Sequence, residues 1–324
     1  MATASQLEIY KIVLPKSSGS FGEFIQNKFY AETSPKQPDS NLFKKLYSKF
    51  LEPLIKNSVW ECESKKKGLT IFKSRPQKVN EIVKAHSAAK VIEGFIDGGR
   101  YDLIRKLSKM TDNTHIQEIG ATDIVAARYY FYLYIPLDKS IAILFLEKKR
   151  DYQIGDAFKK YLSQLFKYKN ACRIDPYIPP SMIEEYKNGA VVESLTSIDY
   201  YSSPTGGDDE TMVKCYEVSV TVKPIGKATS YEDLDQLENE VRALKVSFLE
   251  KTKNFLLFKK RKATIKNVDT KKTSTFDYEK GESIRPVVEI DDDWVSDSLV
   301  DRKRVKTLCD QLLDEIKGDI YGVK

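Results

Sequence analysis

The chain is poor in the residues that most often carry chemistry. Its 324 residues include only two histidines and four cysteines. Cys62, Cys172, Cys215 and Cys309 lie far apart with no short spacing, which argues against both a disulfide framework and a zinc knuckle. Neither His86 nor His115 belongs to a metal-ligand motif, so no metal and no cofactor are expected. There is no G-x-x-x-x-G-K-[ST] phosphate loop and no G-x-S-x-G nucleophile turn, and no residue is assigned a catalytic role. Long apolar runs are missing too: none reaches the roughly 18 to 20 residues of a membrane span. The first residues do not form a basic-then-apolar leader, so the expectation is a cytoplasmic protein.

What the chain does have is aromatic and charged. Nineteen tyrosines, 15 phenylalanines, 41% hydrophobic and 31% charged residues describe a folded globular protein rather than a disordered one. The densest stretch runs from Ala121 to Phe166. Two nearly continuous apolar runs, Arg128 to Ile135 and Ser140 to Leu146, flank the turn-like Pro136-Leu137-Asp138-Lys139. They predict a central antiparallel hairpin buried on both faces, followed by a helix near Gly155 to Phe166.

Ahead of it, Gln6 to Leu14 alternates as a first strand, Lys16 to Asp39 reads mostly as loop, and Leu42 to Lys56 has helical spacing. Val59 to Glu63 and Leu69 to Lys73 suggest a hairpin with a basic tip, and Gly98-Gly99 suggests a second tight turn. Three prolines between Asn170 and Pro180 mark a crossing between substructures. The expected organisation is α+β: antiparallel sheets with a few packed helices in two subdomains. These are a β-rich domain over 1–169, with its central hairpin at 128–146, and an α+β domain over 170–324. The latter should hold strands near 190–200, 213–222, 255–258, 263–268, 273–278 and 285–290, a helix capped by Ser230, and a closing helix over 298–316.

Net charge is only +6, but its distribution is uneven. From Arg242 to Arg285 there are thirteen Lys or Arg against five Asp or Glu, whereas Pro286 to Asp301 holds six acids and no base. Five basic clusters stand out: Lys65 to Lys67, Lys148-Lys149-Arg150, Lys259-Lys260-Arg261-Lys262, Lys271-Lys272 and Arg302-Lys303-Arg304. Singly each reads as a solvated turn; together they suggest a positive face for a phosphate backbone. The candidate nucleic-acid-binding residues are Lys259, Lys260, Arg261, Lys262, Lys148, Lys149, Arg150, Lys271 and Lys272. Aromatics do not interleave with these runs as a stacking platform for single strands requires, so duplex DNA is the expected ligand. Six neutralised phosphates would give a slope of log K against log salt of about −5.

Two other readings stay open. Glu147-Lys148-Lys149, with an acid such as Asp123 or Asp138, comes near the carboxylate pattern of a metal-dependent nuclease, although a strand ending in solvent has the same pattern. The basic and acidic stretches could instead meet each other in a protein-interaction module. No small-molecule substrate is evident.

From Tyr132 onward the order of features resembles that of the RexA-like family of phage-exclusion and prophage defence proteins. The similar pieces are the hairpin with its following helix, CRIDPYIPPSMIEEYKNGAVVESLTSIDY, VSVTVKP before a helix, the strand pair in KATIKNVDTKKTSTFDYEKG, and VKTLCDQLLDEI. They cover about two-thirds of the chain, while the N-terminal part, with its long Lys16 to Asp39 segment, departs most. The resemblance implies a homodimeric, non-sequence-specific DNA-binding sensor or effector of abortive phage defence, acting with a membrane-protein partner. It assigns no residue.

Overall fold

The computed structural model describes residues 5–56, 59–72, 78–102, 105–109, 112–121, 123–149, 153–168, 170–180, 184, 190–204, 213–224, 230, 236, 239, 259–267, 273–277, 288–297 and 299–322. The chain divides into two units, residues 1–177 with 288–324, and residues 178–287. Antiparallel sheets and packed helices make it an α+β protein.

The first unit is built on a nine-stranded sheet. Its strands are β1 (Gln6–Val13), β2 (Trp60–Cys62), β3 (Lys67–Thr70), β4 (Val83–His86), β5 (Val91–Arg100), β8 (Val125–Tyr134), β9 (Ile141–Lys148), β10 (Arg173–Pro176) and β15 (Val288–Glu289). They run in the order β10-β1-β9-β8-β5-β3-β2, with β4 beside β5 and β15 beside β1. Between β5 and β8 the chain forms a separate hairpin, β6 (Arg105–Lys109) with β7 (Asp112–Ile119).

The predicted central hairpin is β8 with β9, in which Phe131 to Tyr134 pair with Leu146 to Ile143. Alternation along β8 decides which layer each side chain joins. Phe131 packs between Phe50 of α2 (Asp39–Leu51) and Phe158 of α4 (Gly155–Leu165), with Tyr129 and Leu133 in the same core. Tyr132 and Tyr134 take the opposite face, under α5 (Arg302–Tyr321): the Tyr132 hydroxyl donates to Asp310 Oδ1 at 2.7 Å, and the Tyr134 ring meets Tyr321 edge-on. Helices therefore cover both faces, which is why the two strands read as continuous apolar runs. Each buried aliphatic or aromatic side chain contributes roughly 1.5 to 3 kcal/mol.

Two local expectations are corrected. The stretch read as loop contains α1 (Phe21–Phe29), which buries Phe21, Phe24 and Ile25. Its start is a reciprocal cap: Glu23 N–H donates to Ser20 Oγ at 3.3 Å and Ser20 N–H to Glu23 Oε2 at 2.8 Å. Gly98-Gly99 is not a turn. Both lie inside β5, between β3 and β8, where a Cβ on Gly99 would collide with the Val125 carbonyl. A short α3 (Val79–Ile82) leads into β4.

The second unit holds a four-stranded antiparallel sheet, β12-β11-β13-β14, formed by β11 (Ala190–Pro204), β12 (Val213–Val222), β13 (Lys259–Asn267) and β14 (Thr273–Asp277). Phe255 to Phe258 and most of the helix expected after Ser230 lie outside the described residues. After the return at β15, a small ribbon of β16 (Val295–Ser296) and β17 (Leu299–Val300) precedes α5. The expected boundary at 169/170 falls instead after Tyr177, and the closing helix belongs to the first unit. Val305, Cys309, Leu312, Leu313 and Ile316 of α5 are all buried, which holds the helix on the tyrosine face of the sheet. Among the described residues no helix is long and apolar enough to cross a membrane.

Candidate nucleic-acid interface

The longest basic run sits on a strand, not on a connection between strands as its flanking apolar segments suggested. Lys259, Lys260, Arg261 and Lys262 are the first four residues of β13, opposite Asp199, Ile198, Ser197 and Thr196 of β11. On the other side β14 begins at Lys262, which faces Asp277. The run is thus held by a ladder with its residues assigned to alternate faces.

Register identifies the faces. Ala263 and its partner Leu195 are buried at 0% and 2% exposure, and Lys259 and Arg261 share the parity of Ala263. Lys260 and Lys262, together with Lys266, take the other parity. Lys262 lies in the row of Thr196 and Thr221, whose exposed hydroxyls are 2.9 Å apart and hydrogen-bonded. That face is therefore the wet one. Lys266 was not singled out from the sequence; the alternation of KKRKATIKN is the signal that could have found it.

In the first unit Lys148, Lys149 and Arg302 are engaged by other groups of the same unit. Lys148 donates to Glu8 Oε1 at 2.8 Å. Lys149 is 7% exposed, donates to the Arg128 carbonyl at 2.6 Å and lies 3.6 Å from Glu147 Oε1. Its assignment to a phosphate is corrected, since reaching one would leave buried Glu147 without its cation, a loss of about 3 to 5 kcal/mol. Arg302 is similarly engaged: its guanidinium forks onto Glu93, with Nε to Oε2 at 3.0 Å and Nη2 to Oε1 at 2.9 Å, and also reaches the Glu81 carbonyl. His86 Nε2 is 3.1 Å from Glu93 Oε1. Arg150, Lys271 and Lys272 lie outside the described residues.

The carboxylates do not assemble as the nuclease reading needs. Glu147 Oε1 accepts from Ser5 Oγ at 3.0 Å and Oε2 from the Tyr130 N–H at 2.7 Å, and burial pushes its carboxyl above the usual range against the pull of Lys149. Asp123 closes a turn by accepting from the Gly120 N–H, and Asp138 pairs with Lys139. Among the described residues no three His, Cys, Asp or Glu side chains are grouped to hold a metal ion. An open cavity of about 780 Å³ is lined mostly by polar residues, around Lys16 to Ser20 and by Lys36 and Asp39. The first N–H groups of the helix beside it are already given to Lys139 O, Leu137 O and Ser20 Oγ. Set beside known proteins, the chain matches no family model, no curated protein and no solved structure.

Proposed function

We propose that this chain binds duplex DNA with little sequence preference through the β13 face of its second unit, as a non-enzymatic component of a phage-exclusion or related defence system. The observation that carries the DNA reading is the position of the basic run on an interior, register-fixed strand. Same-face neighbours on a strand are about 6.7 Å apart, so Lys260 and Lys262, with Lys266 two such steps beyond, fall at one strand parity, the placement that a row of cations along a phosphate backbone requires. Neighbouring threonines supply hydroxyls of the kind that donate to phosphate oxygens. Cytoplasmic action is part of the same proposal; the homodimer, the defence role and a membrane-protein partner are supported by the resemblance alone.

Gel retardation on two unrelated duplexes, with and without Mg²⁺ or Mn²⁺, tests the proposal. Retardation of both without cleavage is the expected result. Metal-dependent cleavage would favour a nuclease, and neither binding nor cleavage would favour a protein-interaction module.

A further inference from the structure

We infer that the second unit is a module inserted at one register position of a single edge strand of the first, so that the first unit is a complete fold without it. The inference rests on the DNA reading only for where binding is lost when the module is removed.

The argument comes from β1. One of its edges is taken over its whole length by β9, from Gln6 opposite Lys148 to Val13 opposite Ile141. Both β10 and β15 must therefore share the other edge, and both run antiparallel to β1. The outgoing chain pairs Val13 with Arg173 through Tyr10 with Pro176, and Tyr177 N–H continues the ladder to the Ile9 carbonyl at 2.8 Å. In that register residue 178 would face Glu8 and residue 179 would face Leu7. Val288 holds the place opposite Leu7, Glu289 the place opposite Gln6, and Ile290 N–H closes on the Ser5 carbonyl at 2.9 Å. One residue between Tyr177 and Val288 therefore suffices for an unbroken strand along all of β1. Residues 179–287 are what has been added.

The sequence explains the departure and the return. Tyr177 turns its N–H toward β1, and two residues on Pro179 has none to give there, so the ladder stops, whereas Pro176 occupies a place whose N–H would face away from β1; Pro286 stands just before pairing resumes. Packing agrees. The main hydrophobic core draws on residues from Tyr10 to Cys172 and includes none of 178–287 among the described residues, while Ala190, Val192, Leu195 and Ala263 are buried outside it. The last residue on the ladder before the module, Tyr177, and the first after it, Val288, lie opposite Ile9 and Leu7, on either side of Glu8.

The test is deletion in register. Removing 179–287, so that Ile178 joins Val288, is expected to leave a cooperatively unfolding protein with a native near-ultraviolet spectrum. Two controls shift the register by one place: removal of 178–287, and removal of 179–287 with one alanine added at the junction. Each reverses the faces of Val288 and Ile290, which are 5% and 2% exposed, and is expected to melt at least about 5 °C lower. Equal stability of all three, or failure of the in-register deletion to fold, would overturn the inference. In the full chain, calorimetry should resolve two transitions, only one of which Phe131→Ala lowers; a single transition lowered as a whole would count against it. Should the in-register deletion fold and still retard DNA, the insertion stands and the β13 reading fails.

Discussion

Arg302-Lys303-Arg304 of the first unit and Lys259-Lys260-Arg261-Lys262 of the second unit are similar as strings, yet their surroundings differ. Arg302 meets a carboxylate that is 1% exposed, and its charge is consumed in fastening α5 to β5. The β13 run faces one aspartate at each end, Asp199 opposite Lys259 and Asp277 opposite Lys262, and none opposite Lys260 or Arg261. A cluster of cations in a sequence does not show which of its members hold the fold, as Arg302 does, and which the DNA reading would assign to a ligand. What separates them is a buried carboxylate within reach.

The largest effect expected from this contrast is on stability. Arg302→Ala takes the guanidinium fork from buried Glu93, leaving the His86 ring beside it, and should cost up to about 3 to 5 kcal/mol, read from denaturant midpoints. Arg302→Lys should recover only part, because an ammonium cannot reproduce the two-pronged contact. A loss below about 1 kcal/mol would mean that α5 is held by its apolar stripe alone.

On β13 the change moves from stability to binding. Lys260→Ala with Lys262→Ala should weaken binding to unrelated duplexes about tenfold or more and flatten the salt slope by roughly 2, with stability changed by about 1 kcal/mol or less. Lys259→Ala with Arg261→Ala, at the parity of buried Ala263, should affect binding less. Equal losses from the two pairs would show that strand alternation does not choose the interface. Three lysines on one face also lower the expected total slope from about −5 to about −3.

Much of the first unit was legible because its sheet is covered on both sides. Arg128 to Leu146 could hardly be anything but a buried hairpin, and the spacing of Leu42, Phe43, Leu46 and Phe50 could hardly be anything but α2. The start of α1 was legible in principle through Ser20 and Glu23, but the surrounding Ser, Gly, Lys and Pro hid a helix of nine residues. Gly98-Gly99 misled because the same freedom that suits a turn also suits close approach of neighbouring strands. The return of α5 to the first unit was not legible, since it depends on β15 finding β1 across more than a hundred intervening residues. At the candidate interface the basic run was visible and its division between two faces was not, because register is set by a partner strand distant in sequence.

A third prediction uses pH. Burial raises the Glu147 carboxyl above its ordinary 4.5, so its contribution to stability is full below 4.5 and is lost as pH rises through the raised folded value. Glu147→Gln has no proton to lose. The stability of the parent relative to this variant should therefore be greatest on the acid side and fall as pH rises above 4.5, by at most about 1.4 kcal/mol per pH unit. Denaturant titrations of both proteins over a pH series check it; a difference that grows with pH would mean that attraction to Lys149 outweighs burial.

The smallest effect is expected two residues from the largest. Arg304 belongs to the same basic triplet as Arg302, but its side chain is 51% exposed and its partners are exposed too: Asp293 at 3.1 Å and Asp301 at 3.9 Å. Pairs of this kind contribute about 0 to 1 kcal/mol because water and salt screen them. Arg304 also lies in the first turn of α5, where a cation opposes the positive end of the helix dipole by a few tenths of a kcal/mol. The two effects nearly cancel, so Arg304→Ala should change the unfolding free energy by less than about 0.5 kcal/mol, with little difference between low and high salt. DNA affinity should stay within twofold, since the β13 row is untouched. If Arg304→Ala cost as much as Arg302→Ala, burial of the partner carboxylate would not be what distinguishes structural cations from available ones.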